Sequence, residues 1–420
     1  MVLATALAGC GGGGGGGGQR QSGLQVSAVD PPHGPALTRV TLSGSGFSAA
    51  PSEDHVELNN MTCTVVAATP TELTVEVPRR AGSGTFQVTV QADTAASPIF
   101  TYDVTSVTVG TIAGSSFGFV DDVGAAARFA SPAGVAIDQA GTIFVADAGN
   151  HAIREVFSDG SVVTLAGGTE GAADGKGVLA QFYEPSDLAF DSGGNLFVID
   201  PGSPSGTPSY LRKIAPDGVV STALSAGLSV ATGVTSGGGQ LLVIADRGNS
   251  RILADDLGTG TLDVVAGGTV GDLDGTGTAA RFQFPSRLTF CPDGNLFVAD
   301  TNNMKIRKIA PGGVVTTYAG SETGVSYADG DLTTARFLFP AGLACDESGK
   351  LYVADSENNA IRMITPSGIV TTLAGHPGSP GYADGDGATA KFSLPAGIAV
   401  EADGALVIGE GTHVRLITWE

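Results

Sequence analysis

The feature that most constrains this chain is a stretch of 53 to 55 residues that returns through its C-terminal three quarters. Phe129, Phe182, Phe282, Phe337 and Phe392 mark the copies. Three positions after each comes a proline (Pro132, Pro185, Pro285, Pro340, Pro395), and eighteen after comes an acid (Asp147, Asp200, Asp300, Asp355, Glu410). A degenerate copy between the second and fourth keeps Leu241-Leu242-Val243-Ile244-Ala245-Asp246 and Asn249 but lacks the rest. Such periods mark units that cannot bury an apolar face alone and must stack on their neighbours. Counting the acid position gives six copies, which predicts an all-β ring, a six-bladed β-propeller over residues 105–420.

Composition agrees. Glycine is abundant (64 of 420 residues) and charged residues are scarce, as in short strands joined by many turns. With 42 acidic against 21 basic side chains the net charge is -21, which argues against a nucleic-acid partner, since phosphate is held by Lys and Arg.

The stretch Asn150-His151-Ala152-Ile153-Arg154 returns in softened form as Asn303-Met304-Lys305-Ile306-Arg307 and Asn359-Ala360-Ile361-Arg362. It resembles the NHL-repeat family, and the resemblance implies blades of four strands each. The last copy stops one strand short, after Val414-Arg415-Leu416-Ile417. Val109-Gly110-Thr111-Ile112-Ala113-Gly114 has the fourth-strand pattern yet precedes the first full blade. It is expected to complete blade six and leave no open edge.

Upstream, residues 24–104 alternate apolar and polar side chains, as in Leu73-Thr74-Val75-Glu76-Val77 and Phe86-Gln87-Val88-Thr89-Val90. That alternation predicts a small immunoglobulin-like sandwich. Pro31-Pro32-His33-Gly34-Pro35, followed by Gly44-Ser45-Gly46-Phe47, resembles the IPT/TIG family, whose members serve as spacer or adhesive modules. Earlier still, Leu7-Ala8-Gly9-Cys10 resembles the lipobox of bacterial lipoproteins, in which a peptidase cuts before the cysteine and its sulfur carries the lipid. This makes residues 1–9 a lipoprotein signal, short and without a basic n-region, and suggests a truncated start. Cys10 is then the lipidation site, and residues 10–23, with eight consecutive glycines, form a flexible tether. Cys63, Cys291 and Cys345 sit in strand-like runs and read as small buried hydrophobes, with a Cys291–Cys345 bridge as the alternative.

In a four-stranded meander the second-to-third turns and the long blade connections emerge on one face, and the tight turns on the other. Functional length concentrates in connections such as Gly320 to Pro340, so the ligand-binding surface is expected on the connection face. An aspartate repeats there eight residues before each phenylalanine: Asp121, Asp174, Asp274, Asp329 and Asp384. These are candidates for ligand or cation (Ca²⁺) binding. The architectural alternative has them close a turn and be neutralised by basic residues such as Arg128, Arg281 and Arg336. His151, His376 and His413 map to the same face and are candidate Zn²⁺ ligands. The resulting reading is an exported binding or scaffold protein, not an enzyme, anchored by lipid at the outer membrane or cell surface. Its partner would be an extracellular protein, peptide or glycan. The alternative is an extracellular metal-dependent lyase or hydrolase with its site in the propeller channel.

Overall fold

The computed structural model describes residues 23–58, 61–78, 81, 83–103, 106–202, 208–321 and 327–419. Cys10 and the glycine tether lie outside these residues. Among those described there is no α-helix, only strands and short 3-10 turns. The described residues divide into two compact units, one mainly from 23–107 and the other from most of 108–417.

The first unit is a sandwich. One sheet runs in the order Gln25–Asp30, Arg39–Ser45, Glu72–Glu76, Thr64–Thr69. The other contains Asp93–Tyr102, Gly84–Val90 and Asp54–Leu58. The alternation read from sequence follows the register: Val40 pairs with Val75 and Leu42 with Leu73, and all four are fully buried opposite Val56, Phe86, Val88 and Phe100. The Gly-x-Gly-Phe turn has a steric reason. A Cβ on Gly44 would lie 1.9 Å from the Gln25 carbonyl oxygen, so only glycine lets the two strands approach.

The second unit is a six-bladed ring of antiparallel meanders. Blade one comprises Pro132–Ile137, Ile143–Asp147, Ala152–Val156 and Val162–Gly167; blade five comprises Pro340–Cys345, Leu351–Asp355, Ala360–Ile364 and Ile369–Gly375. Blade six takes three strands from the C-terminus (Gly397–Val400, Leu406–Glu410, His413–Trp419), and Val107–Ala113 is its fourth. The ring closes as the end patterns predict. The repeating phenylalanines are buried between blades; Phe129 packs with Val145 of blade one and with Val407 and Val414 of blade six.

In five of the six blades a glycine ends or directly follows the fourth strand, for a backbone reason. Gly114, Gly167, Gly267, Gly320 and Gly375 have φ between +82° and +99°, and a Cβ there would lie 2.2–2.5 Å from a carbonyl oxygen of the second-to-third turn.

The cysteine expectation fails at two positions. Cys63 is buried and free, but Cys291 and Cys345 form a disulfide between blades four and five, with Cα atoms 5.3 Å apart. The repeat places the two at neighbouring ends of adjacent inner strands, close enough to bridge.

Candidate functional site

The five repeated aspartates of the blade connections share one environment. Each lies against an arginine on the third strand of its blade: Arg154 with Asp121 at 2.6 Å, Arg212 with Asp174 at 2.9 Å, Arg307 with Asp274 at 2.8 Å, Arg362 with Asp329 at 2.6 Å and Arg415 with Asp384 at 2.7 Å. All five guanidiniums are fully buried. Their other side meets the acid that ends the second strand, Asp147, Asp200, Asp300, Asp355 or Glu410, at 2.6–3.6 Å. Each arginine also lies over the repeat's phenylalanine, 5.0–5.2 Å from the ring centroid. A threonine of the fourth strand donates to each connection aspartate, as Thr372 does to Asp329.

In these posts each candidate aspartate is the counter-ion of a buried arginine while its own side chain stays 41–52% exposed. The architectural alternative holds with different partners, because the neutralising arginine comes from the Ile-Arg of the third strand and not from the residue before the phenylalanine. Desolvation is the largest influence on the inner acids. It raises Asp200, Asp300 and Asp355 to about 6 and Glu410 to about 7, against the pull of the arginines and backbone N–H groups. Blade three lacks the post arginine, with Leu253 in its place, and Asp246 is held instead by Arg251 at 2.6 Å and Asn249 at 2.8 Å.

The histidines do not converge on a zinc site. His151 ends a 3-10 turn at φ 54°, and its ring donates to the Tyr183 carbonyl. His413 is buried and stacked on Tyr382 at 4.4 Å, with its pKa lowered by burial and then by Arg415. His376 is exposed, with its ring 3.3 Å from the Pro377 carbonyl. Among the described residues no group of three or more His, Cys, Asp or Glu is placed to hold a metal ion. Of the other carboxylates in the connections, Asp272 pairs with Lys305, and Asp386 accepts the backbone N–H groups of Ala388 and Thr389.

The central channel is closed toward the connections. Five residues after each repeat phenylalanine the inner strands carry Gly134, Asp187, Arg287, Gly342 and Gly397, with Gly233 the counterpart in blade three. A Cβ on any of the four glycines would lie 2.1–2.5 Å from the backbone of the next inner strand, so the strands crowd together here. Arg287 bridges the remaining gap. It donates to Asp187 at 3.2 Å, to the Ser186 carbonyl at 2.7 Å and to the Ala396 carbonyl at 3.2 Å, joining blade four to blades two and six. Beyond this latch, toward the tight turns, lies a cavity of about 300 Å³ bordered by Val135, Leu188, Val234, Leu288, Leu343 and Ile398.

A second cavity, of about 650 Å³, lies in the seam between blades one and two. It is bordered by the tight turns 138–140 and 191–194 and by Phe144, Glu155, Leu165, Phe190, Leu196 and Ile214. Phe144 and Phe190 meet edge to face at 5.1 Å. Both cavities thus belong to the tight-turn face and not to the connection face that the sequence singles out. Connection length is taken up by the posts and by two-residue strands such as Gly330–Asp331, which add to the outer edge of the next blade.

Fold and repeats together define a two-domain all-β protein, an immunoglobulin-like sandwich followed by a six-bladed propeller. Residues 24–108 match the IPT/TIG domain, and residues 129–155, 282–309 and 337–362 match the NHL repeat, so the chain carries an IPT/TIG domain and NHL repeats. It is 32% identical over 278 residues to Protein SUPPRESSOR OF QUENCHING 1, chloroplastic, of Arabidopsis thaliana, a match covering 59% of this chain but only 26% of that relative. Among solved structures it resembles a structural genomics protein of unknown function from Bacteroides thetaiotaomicron (TM-score 0.70, 22% identity, 96% of this chain and 99% of that one). It also resembles an auxiliary nutrient binding protein from the same organism (TM-score 0.61, 18% identity, 95% and 98%).

Proposed function

We propose that the protein is an exported, non-enzymatic binding protein of the cell envelope, held there by lipid on Cys10, and that it takes its ligand at the tight-turn face, in the seam between blades one and two. The observation that carries this reading is the asymmetry of the two faces. The connection face is built from repeated ion pairs and is latched by Arg287, while the seam offers an open cavity with an apolar floor and carboxylates at its edge. The Cys291–Cys345 bridge supports export, because such bonds persist in oxidising compartments. The likeness to an auxiliary nutrient binding protein is compatible with a binding role. Among the described residues no helix is long and apolar enough to cross a membrane; lipid on Cys10 would supply the attachment.

The test is a ligand-observed NMR screen of the full chain against amino acids, short peptides, sugars and small amines. It is repeated with Gln139→Trp at the seam and Glu170→Trp in a blade connection. Hits lost only in Gln139→Trp support the reading. Hits lost only in Glu170→Trp return the site to the connection face.

A further inference from the structure

The seam between blades one and two departs from the repeat in charge as well as in volume. The residue after each post arginine faces the next blade near the tight-turn rim, and it is Glu155 in blade one, Lys213 in blade two, Lys308 in blade four, Met363 in blade five and Leu416 in blade six, with Ala254 the counterpart in blade three. Only blade one places an acid there. A residue type shared by every blade serves the repeat; one that breaks the column invites another explanation.

Glu155 lies opposite Phe144 in the sheet register, at the edge of the cavity. The neighbouring carboxylates are occupied by their own turns. Asp138 accepts the N–H groups of Ala140 and Thr142, and Asp191 accepts those of Gly193 and Asn195 together with the Asn195 side chain. Glu155 is half-buried, and among the described residues neither a hydrogen bond nor a basic partner reaches its carboxylate. Burial first, and then the charge of Asp138, push its pKa upward, so an added cation would relieve a standing cost.

The corresponding residues between blades four and five pack into one apolar cluster. There Cys345 stands in the place of Phe190 and is bonded to Cys291, Phe297 meets Tyr318 edge to face at 4.8 Å, and Lys308 stands in the place of Glu155. One seam is stapled and carries Lys308; the other is open and carries Glu155.

We propose that the seam between blades one and two binds an organic ammonium bearing an apolar arm, with the ammonium on Glu155 in the field of Asp138 and Asp191 and the arm against Phe144, Phe190 and Ile214. This rests on the tight-turn-face reading and adds the chemistry of the occupant. A carboxylate that is partly desolvated and unpaired selects for positive charge, while the aromatic floor excludes a bare, fully hydrated cation.

The experiment is calorimetric titration of the full chain at neutral pH with 2-phenylethylamine and with its uncharged counterpart 2-phenylethanol. The amine should bind at least about tenfold more tightly, the equivalent of one close, partly shielded ion pair. Glu155→Gln should abolish that preference while leaving the alcohol's affinity unchanged, which also shows that the cavity is intact. Asp159→Asn, an acid of the same rim outside the cavity lining, should keep the preference and so separate Glu155 from the general effect of an acidic protein. Equal affinity for the two probes in the native chain, survival of the preference in Glu155→Gln, or failure of both probes to bind would each overturn the ammonium assignment. The choice of face is decided separately by the Gln139→Trp and Glu170→Trp pair.

Discussion

The two rims of the propeller are built from the same repeats, yet they differ in kind. Under the connection rim every blade but the third carries an arginine between two acids, and the arrangement is so regular that the five posts can be superposed in words. At the tight-turn rim the blades diverge, with a staple in one seam and a cavity in another. What repeats holds the ring together; what does not repeat is free to be selected for a ligand. The length of the connections goes into burying charge and widening the blades.

The comparison can be broken most severely at the ring's seal. A chain beginning at Gly118 lacks Val107–Ala113 and leaves blade six with three strands and an unpaired edge. It should aggregate or lose cooperative melting; a native-like melting curve for its propeller would contradict the closure. Next in size is a single post. Arg362→Met strands the fully buried Asp355 carboxylate, and denaturant unfolding should show a loss of about 3–5 kcal/mol, as when one partner of a buried pair is removed. A loss under about 1 kcal/mol would mean that the posts are ornamental. The smallest effect is expected at the other rim. Glu155→Gln removes a half-buried charge that has no partner, so stability should shift by no more than about 0.5 kcal/mol, and in the stabilising direction. A clear destabilisation would make Glu155 a structural residue and weaken its assignment to a ligand.

Much of the fold was legible because each blade repeats the same physical problem. The spacing of phenylalanine, proline and acid reports how a blade seals against its neighbour, and the orphan strand at 109–113 reports how the ring closes. The site was harder to read. In three copies arginine appears twice, before the phenylalanine and after the isoleucine, and only depth distinguishes the buried Arg362 from the surface-reaching Arg336, whose guanidinium bonds the Thr333 carbonyl. The Cys291–Cys345 spacing of 54 is one short of the 55 residues between Phe282 and Phe337, a signal that the two cysteines occupy neighbouring places in adjacent blades. Glu155 could have been found by reading the copies column by column, as an acid where other blades carry Lys, Met, Leu or Ala. The cavity beside it could not, because its volume depends on the summed side chains of two blades and on the angle between them.

The most direct test of the central claim, that the non-repeating rim is the binding rim, is hydrogen–deuterium exchange of the full chain with and without the tightest binder from the ligand screen. The account predicts slowed exchange in the tight turns 138–142 and 191–195 and no change in the blade connections 168–181 and 268–281. Slowed exchange confined to those connections, with the turns unaffected, would contradict it.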